Sequence, residues 1–224
     1  MGTSISFKRP DGKEAQGYLS LAARSDAPGV VVIQEWWGLQ DQIKGICDRF
    51  ATAGFSALAP DLYRGQVVPY HDSEQAGKVM HSLDFLDATS QTVGGAAAYL
   101  GRTGAKVGLI GYCMGGAVAV IGAARIPGLS AAVAYYGLPP GEAARPSDVV
   151  IPVQGHFANR DGWCSPTMVD EFESGLKAAG KAFEFFRYDA DHAFANEQRV
   201  SVHDRQAAEL AWGRTTAFLS RHLS

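Results

Sequence analysis

The run Lys106-Val-Gly-Leu-Ile-Gly111-Tyr-Cys113-Met-Gly115-Gly116-Ala-Val-Ala-Val120 decides how this chain is read. A short apolar strand enters a Gly-x-Cys-x-Gly turn, and a helix of small residues leaves it. A side chain at the centre of such a turn sits in a strained backbone conformation, tolerated only where small residues at the −2 and +2 positions let strand and helix approach closely. Gly111 and Gly115 meet that demand. The turn also sets Cys113 at a helix N-terminus, where the helix dipole and free amides favour thiolate over thiol. The Met114 amide follows directly and becomes a donor for a developing oxyanion. Without this context a cysteine among apolar residues reads as a small buried hydrophobe.

Cys47 illustrates that plain reading, since it stands at helical spacing with Ile43, Ile46 and Phe50. Cys164 has no helix N-terminus or base to activate it, and packing is its expected role. A nucleophile in a strand-turn-helix elbow is followed along the chain by an acid and then a histidine in the loop after the last strand. His192 satisfies that order: Phe183–Tyr188 is the strand, Asp189-Ala-Asp191 opens the loop, and a final helix follows. His71, His81, His156, His203 and His222 fall in polar loops or helical stretches. For the acid, Asp161 lies in a turn-rich loop between the strand Val149–Gln154 and a helix starting near Pro166, placed to orient an imidazole. Asp189 and Asp191 read as a solvated loop. Glu35 follows the apolar strand Val30–Ile33, where a carboxylate is costly without a partner; it is either a paired strand-end residue or a functional one.

Outward from the elbow, strands are expected at Ser4–Lys8, Tyr18–Ala22, Val30–Gln34, Ser56–Ala59, Lys106–Ile110, Ala131–Tyr135, Val149–Gln154 and Ala182–Tyr188. Most are near-continuous apolar runs, as buried parallel strands require. The first two flank a Pro10-Asp11-Gly12 turn and read as an antiparallel hairpin. Helices are expected at Asp41–Ala53, Ser73–His81, Ala88–Gly101, Met114–Arg125, Pro166–Ala179 and His203–His222, with Gly54, Gly101 and Gly180 suited to left-handed C-terminal positions. Alternating strands and helices specify an α/β fold: a mostly parallel sheet with helices on both faces. Length and composition are those of one domain over residues 1–224.

The formal charge of −3 and the absence of any basic run or basic, aromatic-interleaved stripe argue against a nucleic-acid partner. No apolar run approaches the ~20 residues that cross a bilayer, and the polar start does not read as a signal peptide. A cytoplasmic protein without a membrane partner, monomeric or a small homo-oligomer, is expected. Three cysteines without a CxxC pair argue against a disulfide framework and a zinc cluster; neither metal nor organic cofactor is expected.

The sequence resembles the dienelactone hydrolase (carboxymethylenebutenolidase) family of the α/β-hydrolase superfamily over most of its length. The likeness is carried by Gln34-Glu-Trp-Trp-Gly38, Ala59-Pro-Asp-Leu-Tyr63, Gly111-Tyr-Cys-Met-Gly-Gly116, His156-Phe-Ala-Asn-Arg-Asp161 and Tyr188-Asp-Ala-Asp-His-Ala-Phe194. It implies a small lactone or ester substrate, Cys113 as nucleophile, His192 as base and Asp161 as its orienting acid. It also implies that Glu35 helps to deprotonate the cysteine when substrate enters, and that the Trp36 amide joins that of Met114 in an oxyanion hole. Trp37, Asn196 and Arg199 are expected to line the substrate. Relatives that act on an anionic lactone hold its carboxylate with arginines, one of them where this chain has Asn196; Arg199, Arg64 and Lys78 are the cations available to substitute. An asparagine supplies no bidentate charged clamp, so a neutral ester or thioester is the competing substrate. A ligand-binding or redox-sensing protein that keeps the elbow without turnover is the rival of another class.

Overall fold

The computed structural model describes residues 1–224. Eight strands form one sheet: β1 (Thr3–Lys8), β2 (Glu14–Ser20), β3 (Gly29–Ile33), β4 (Ser56–Pro60), β5 (Val107–Tyr112), β6 (Leu129–Tyr135), β7 (Val153–Arg160) and β8 (Phe183–Asp191). Their order across the sheet is β1-β2-β4-β3-β5-β6-β7-β8. The β1–β2 hairpin and the β2–β4 pairing are antiparallel, and all other pairings are parallel. The expected hairpin turn is present, with Gly12 at φ 82° and its amide donating to the Arg9 carbonyl at 3.0 Å.

The helices are α1 (Asp41–Thr52), α2 (Ser73–His81), the single turn α3 (Phe85–Asp87), α4 (Gly94–Gly101), α5 (Met114–Arg125), α6 (Pro166–Ala178) and α7 (Arg205–Leu223). Strand periodicity distributes them. A Cβ on Gly108 of β5 would meet Leu219 and Leu223 of α7, whereas the next side chain, Leu109, reaches Gly122 of α5. Successive strand residues point to opposite faces, so α5 and α7 cover opposite sides. Helix α4 joins α5, since Gly29 abuts Leu100. Helix α1 joins α7, with the rings of Phe50 and Trp212 4.6 Å apart. Both faces being covered, Val30–Ile33 are fully buried, as the uninterrupted apolar runs require.

Three local expectations are corrected. The strand expected at Val149–Gln154 begins only at Val153, because Pro152 has no amide for the ladder, and it runs on through His156 to Arg160. Accordingly His156 is a buried strand residue and not a loop residue. Its ring contacts Tyr188 Oη at 2.7 Å, Gln154 Oε1 at 2.9 Å and Thr215 Oγ1 at 3.0 Å. Burial pushes its pKa down to about 3, so it is neutral and structural. The helix expected at Ala88–Gly101 starts as a π-helical stretch, Ala88–Val93, and Gly101 is its last helical residue; the left-handed glycine is Gly104, at φ 82°. Gly54 and Gly180 do take left-handed conformations, at φ 93° and 64°.

Candidate active site

Parallel strands all end at one edge of the sheet, and α/β sheets bind ligands outside that edge. The residues singled out in the sequence meet there: Glu35 lies beyond β3, Cys113 directly after β5, Asp161 directly after β7 and His192 directly after β8. The geometry at β5 is forced. Cys113 has φ 54° and ψ −119° and caps α5, a conformation that costs on the order of 1–3 kcal/mol and persists only where its surroundings impose it. Here the imposition is steric. A Cβ on Gly111 would lie 1.8 Å from the Gly115 carbonyl oxygen, and one on Gly137 would lie 1.9 Å from that of Cys113.

Cys113 Sγ lies 3.3 Å from His192 Nε2, and His192 Nδ1 donates to Asp161 Oδ2 at 2.7 Å. The other carboxylate oxygen of Asp161 accepts the amides of Trp163 at 2.8 Å and Cys164 at 2.9 Å, so the loop holds the acid in place and the acid holds the ring. The Asp161 side chain is fully buried, while that of His192 keeps 23% exposure. Burial alone would lower the His192 pKa, but hydrogen bonds and charge from Asp161 and Cys113 bring it up to about 10. Asp189 and Asp191, the alternative acids, are ion-paired with Arg160 at the rim.

Glu35 is buried at 2% exposure. Its Oε1 accepts the Tyr136 hydroxyl at 3.1 Å and its Oε2 accepts Asn196 Nδ2 at 3.0 Å. Burial pushes its pKa up, opposed by Asn196, His192, Tyr136 and Arg199. Tyr136 was not legible as a site residue. It follows β6 at φ 38°, with its ring centre 5.2 Å from that of His192, and neither its backbone strain nor that contact leaves a mark on local sequence. The non-glycine residues at positive φ are Arg64, Cys113, Tyr136 and Ala193; all but Arg64 adjoin this cluster.

Two expected substrate contacts are placed elsewhere. Asn196 is fully buried, and because its amide nitrogen is spent on Glu35 it belongs to the layer behind the site. Trp37 is 2% exposed, edge-on to Tyr70 with ring centres 5.5 Å apart, and so is core rather than pocket wall; Trp36 beside it is half-buried. Of the cations available as a clamp, Lys78 pairs with Glu74 at 2.6 Å and Arg64 lines a cavity of about 540 Å³ beneath the β1–β2 hairpin. Arg199 alone acts on Glu35, its guanidinium 5.6 Å from the Trp37 ring centre. Cys47 and Cys164 are buried thiols, as expected; burial pushes Cys164 up to about 12 and Cys47 beyond that range. Asp61 folds its turn by accepting the Tyr63 amide at 2.9 Å, and the Tyr63 hydroxyl reaches Met114 Sδ at 3.2 Å.

A mostly parallel eight-stranded sheet with a strained Gly-x-Cys-x-Gly elbow after β5 is an α/β-hydrolase fold. The chain belongs to the dienelactone hydrolase family, whose model matches residues 15–223, and it is a hydrolase of the ester type. Among its relatives, "Protein usf" of Aquifex pyrophilus is 33% identical over the full length of both chains. A "Putative carboxymethylenebutenolidase" of Aquifex aeolicus is 30% identical, again over all of both. The crystal structure of a "Putative Dienelactone Hydrolase" from Klebsiella pneumoniae superposes with a TM-score of 0.85 at 26% identity, covering 98% of this chain and 99% of that one. No helix is long and apolar enough to cross a membrane.

Proposed function

We propose that this chain is a single-domain hydrolase that opens a small ester or lactone through a thiolate acyl-enzyme, with Cys113 as nucleophile, His192 as base and Asp161 as the acid that orients it. The observation that carries the reading is the unbroken chain from Sγ to imidazole to carboxylate, at 3.3 and 2.7 Å, across the ends of three strands. Cys113 attacks the carbonyl carbon, the leaving alcohol takes its proton from His192, and a water activated by His192 releases the acid. The oxyanion would meet the Met114 amide, an unpaired donor of the first turn of α5, and the Trp36 amide, which donates to no group of the chain. Each such donor is worth ~2.7–4 kcal/mol in the transition state. We place the protein in the cytoplasm, as a monomer or small homo-oligomer. A chromogenic ester should give a burst stoichiometric with protein, followed by slower turnover. No burst, together with reversible oxidation of Cys113, would instead favour a redox sensor.

Asn196, buried on Glu35, favours a neutral ester over an anionic lactone, and leaves Arg199 as the cation for any carboxylate. A charged clamp at position 196 would be worth ~1.5–3 kcal/mol, about ten- to a hundredfold; without it, kcat/KM for a carboxylate-bearing lactone and its methyl ester should differ by about tenfold or less. Arg199→Ala should erase whatever preference for the acid exists. A preference of a hundredfold or more for the acid that survives Arg199→Ala would overturn this assignment.

A further inference from the structure

Two aromatic rings flank His192, and only one of them is open to water. Tyr136 meets the imidazole edge-on from inside the fold, with ring centres 5.2 Å apart, and is fully buried. Trp163 meets it edge-on with ring centres 5.4 Å apart and is 45% exposed. The loop that carries Trp163 is held at every step. Its amide donates to Asp161 Oδ1 at 2.8 Å, the amide of buried Cys164 donates to the same oxygen at 2.9 Å, and Ser165 caps α6 by accepting the Met168 amide at 3.3 Å. The carboxylate that orients the imidazole thus also fixes the backbone of the tryptophan beside it. A large apolar ring left half in water gives up much of the stabilisation that burial would bring, and with two side-chain torsions it is ordered for contact at low entropic cost.

The sheet order assigns directions around Cys113. In the order β3-β5-β6-β7-β8, Cys113 after β5 has the Trp36 amide after β3 on one side, and Trp163 after β7 and His192 after β8 on the other. An oxyanion aimed at the Trp36 and Met114 amides faces β3. The leaving oxygen, which takes its proton from His192, departs toward β8, where the open indole borders the half-open imidazole. We infer that Trp163 is a specificity-determining residue that packs against the alcohol portion of the substrate, and that this site prefers neutral esters of aromatic alcohols. The inference rests on Cys113 being the nucleophile and deepens that reading by naming the substrate class. In the acylation step the Sγ–C bond forms and the C–O bond breaks; the alcohol oxygen keeps the electron pair and takes the thiol's proton by way of His192 Nε2. The Trp163 contact then leaves with the alcohol, before water attacks the acyl-enzyme. A lactone differs, because its alcohol stays tethered to the acyl group and would keep the contact through both steps.

The test compares 2-naphthyl, phenyl and ethyl acetates, which share one acetyl-enzyme and differ only in the alcohol. Wild type should favour them in that order. Trp163→Ala should lower kcat/KM in the same order, by about tenfold for the naphthyl ester and least for the ethyl ester, while Trp163→Phe, which restores a ring, should recover most of the loss. Decay of the acetyl-enzyme, followed by mass spectrometry after a pulse of naphthyl acetate, should keep its wild-type rate in Trp163→Ala, because the alcohol has gone by then. An equal loss on all three esters, or slower decay of the acetyl-enzyme, would show that Trp163 acts through His192 and would overturn the inference. So would an unchanged profile, or a loss that follows the acyl group when naphthyl butyrate replaces naphthyl acetate. The reading of Cys113 as nucleophile fails separately, if Cys113→Ala still forms an acetyl-enzyme.

Discussion

Cys113→Ala should remove hydrolysis, with kcat/KM falling on the order of 10⁴-fold or more, as when the nucleophile of a concerted catalytic unit is deleted, while the fold is kept. The two halves of that expectation have different causes. Activity goes because no other thiol substitutes: Cys47 and Cys164 are 0% and 1% exposed, and burial raises both thiols. Stability stays because the strain at residue 113 lies in its backbone, φ 54° and ψ −119°, imposed by Gly111, Gly115 and Gly137. Alanine bears that conformation as well as cysteine does and removes only one buried atom. Thermal unfolding should therefore shift by a few degrees at most. Iodoacetamide should inactivate wild type through Cys113, read by peptide mapping; inactivating label on Cys47 or Cys164 with Cys113 unmodified would reassign the nucleophile.

His192→Ala should lower kcat/KM by ~10²–10⁴-fold, at least as much as Asp161→Asn. The asparagine is the proper comparison, because Asp161 also accepts the Trp163 and Cys164 amides and an alanine there would strand both donors at ~1–3 kcal/mol each. In Asp161→Asn the side-chain oxygen can keep those amides while its nitrogen faces His192 Nδ1. The ring is then driven into the tautomer with hydrogen on Nε2, the nitrogen that must accept from Cys113. Removing the carboxylate also removes part of what raises His192, so the imidazolium should deprotonate at lower pH than in wild type. Both variants should still bind substrate. Activity of His192→Ala comparable to wild type would move the base to Glu35, since His156 is sealed in the core and held neutral.

The parts of this protein that were legible in sequence are those whose physics is local. The elbow was readable because close approach of strand and helix admits only glycine at 111 and 115, and because a helix must begin at Met114; that helix runs Met114–Arg125, as its small residues imply. Strands β3 to β6 were readable from apolar runs that water would not tolerate, and His192 from its place after the last strand, whereas β2 lies at Glu14–Ser20, ahead of the Tyr18–Ala22 expected. Where a strand is stabilised by distant partners the pattern failed. Polar His156 continues β7 beyond the expected end at Gln154 because Tyr188 and Thr215, which satisfy its ring, come from β8 and α7.

The residues that set the state of Glu35 were beyond reach of any window along the chain. Tyr136 and Asn196 stand 101 and 161 residues away from it in sequence, and Asn196 looked like a lost substrate clamp until its amide was found spent on a buried carboxylate. The sequence by itself determined the α/β class, the Gly-x-Cys-x-Gly elbow and the histidine after the final strand, because sterics, helix capping and apolar burial act over a few neighbouring residues. Only the tertiary structure decided which donors hold Glu35, because those hydrogen bonds form between separate strand ends that the sheet order brings to one edge.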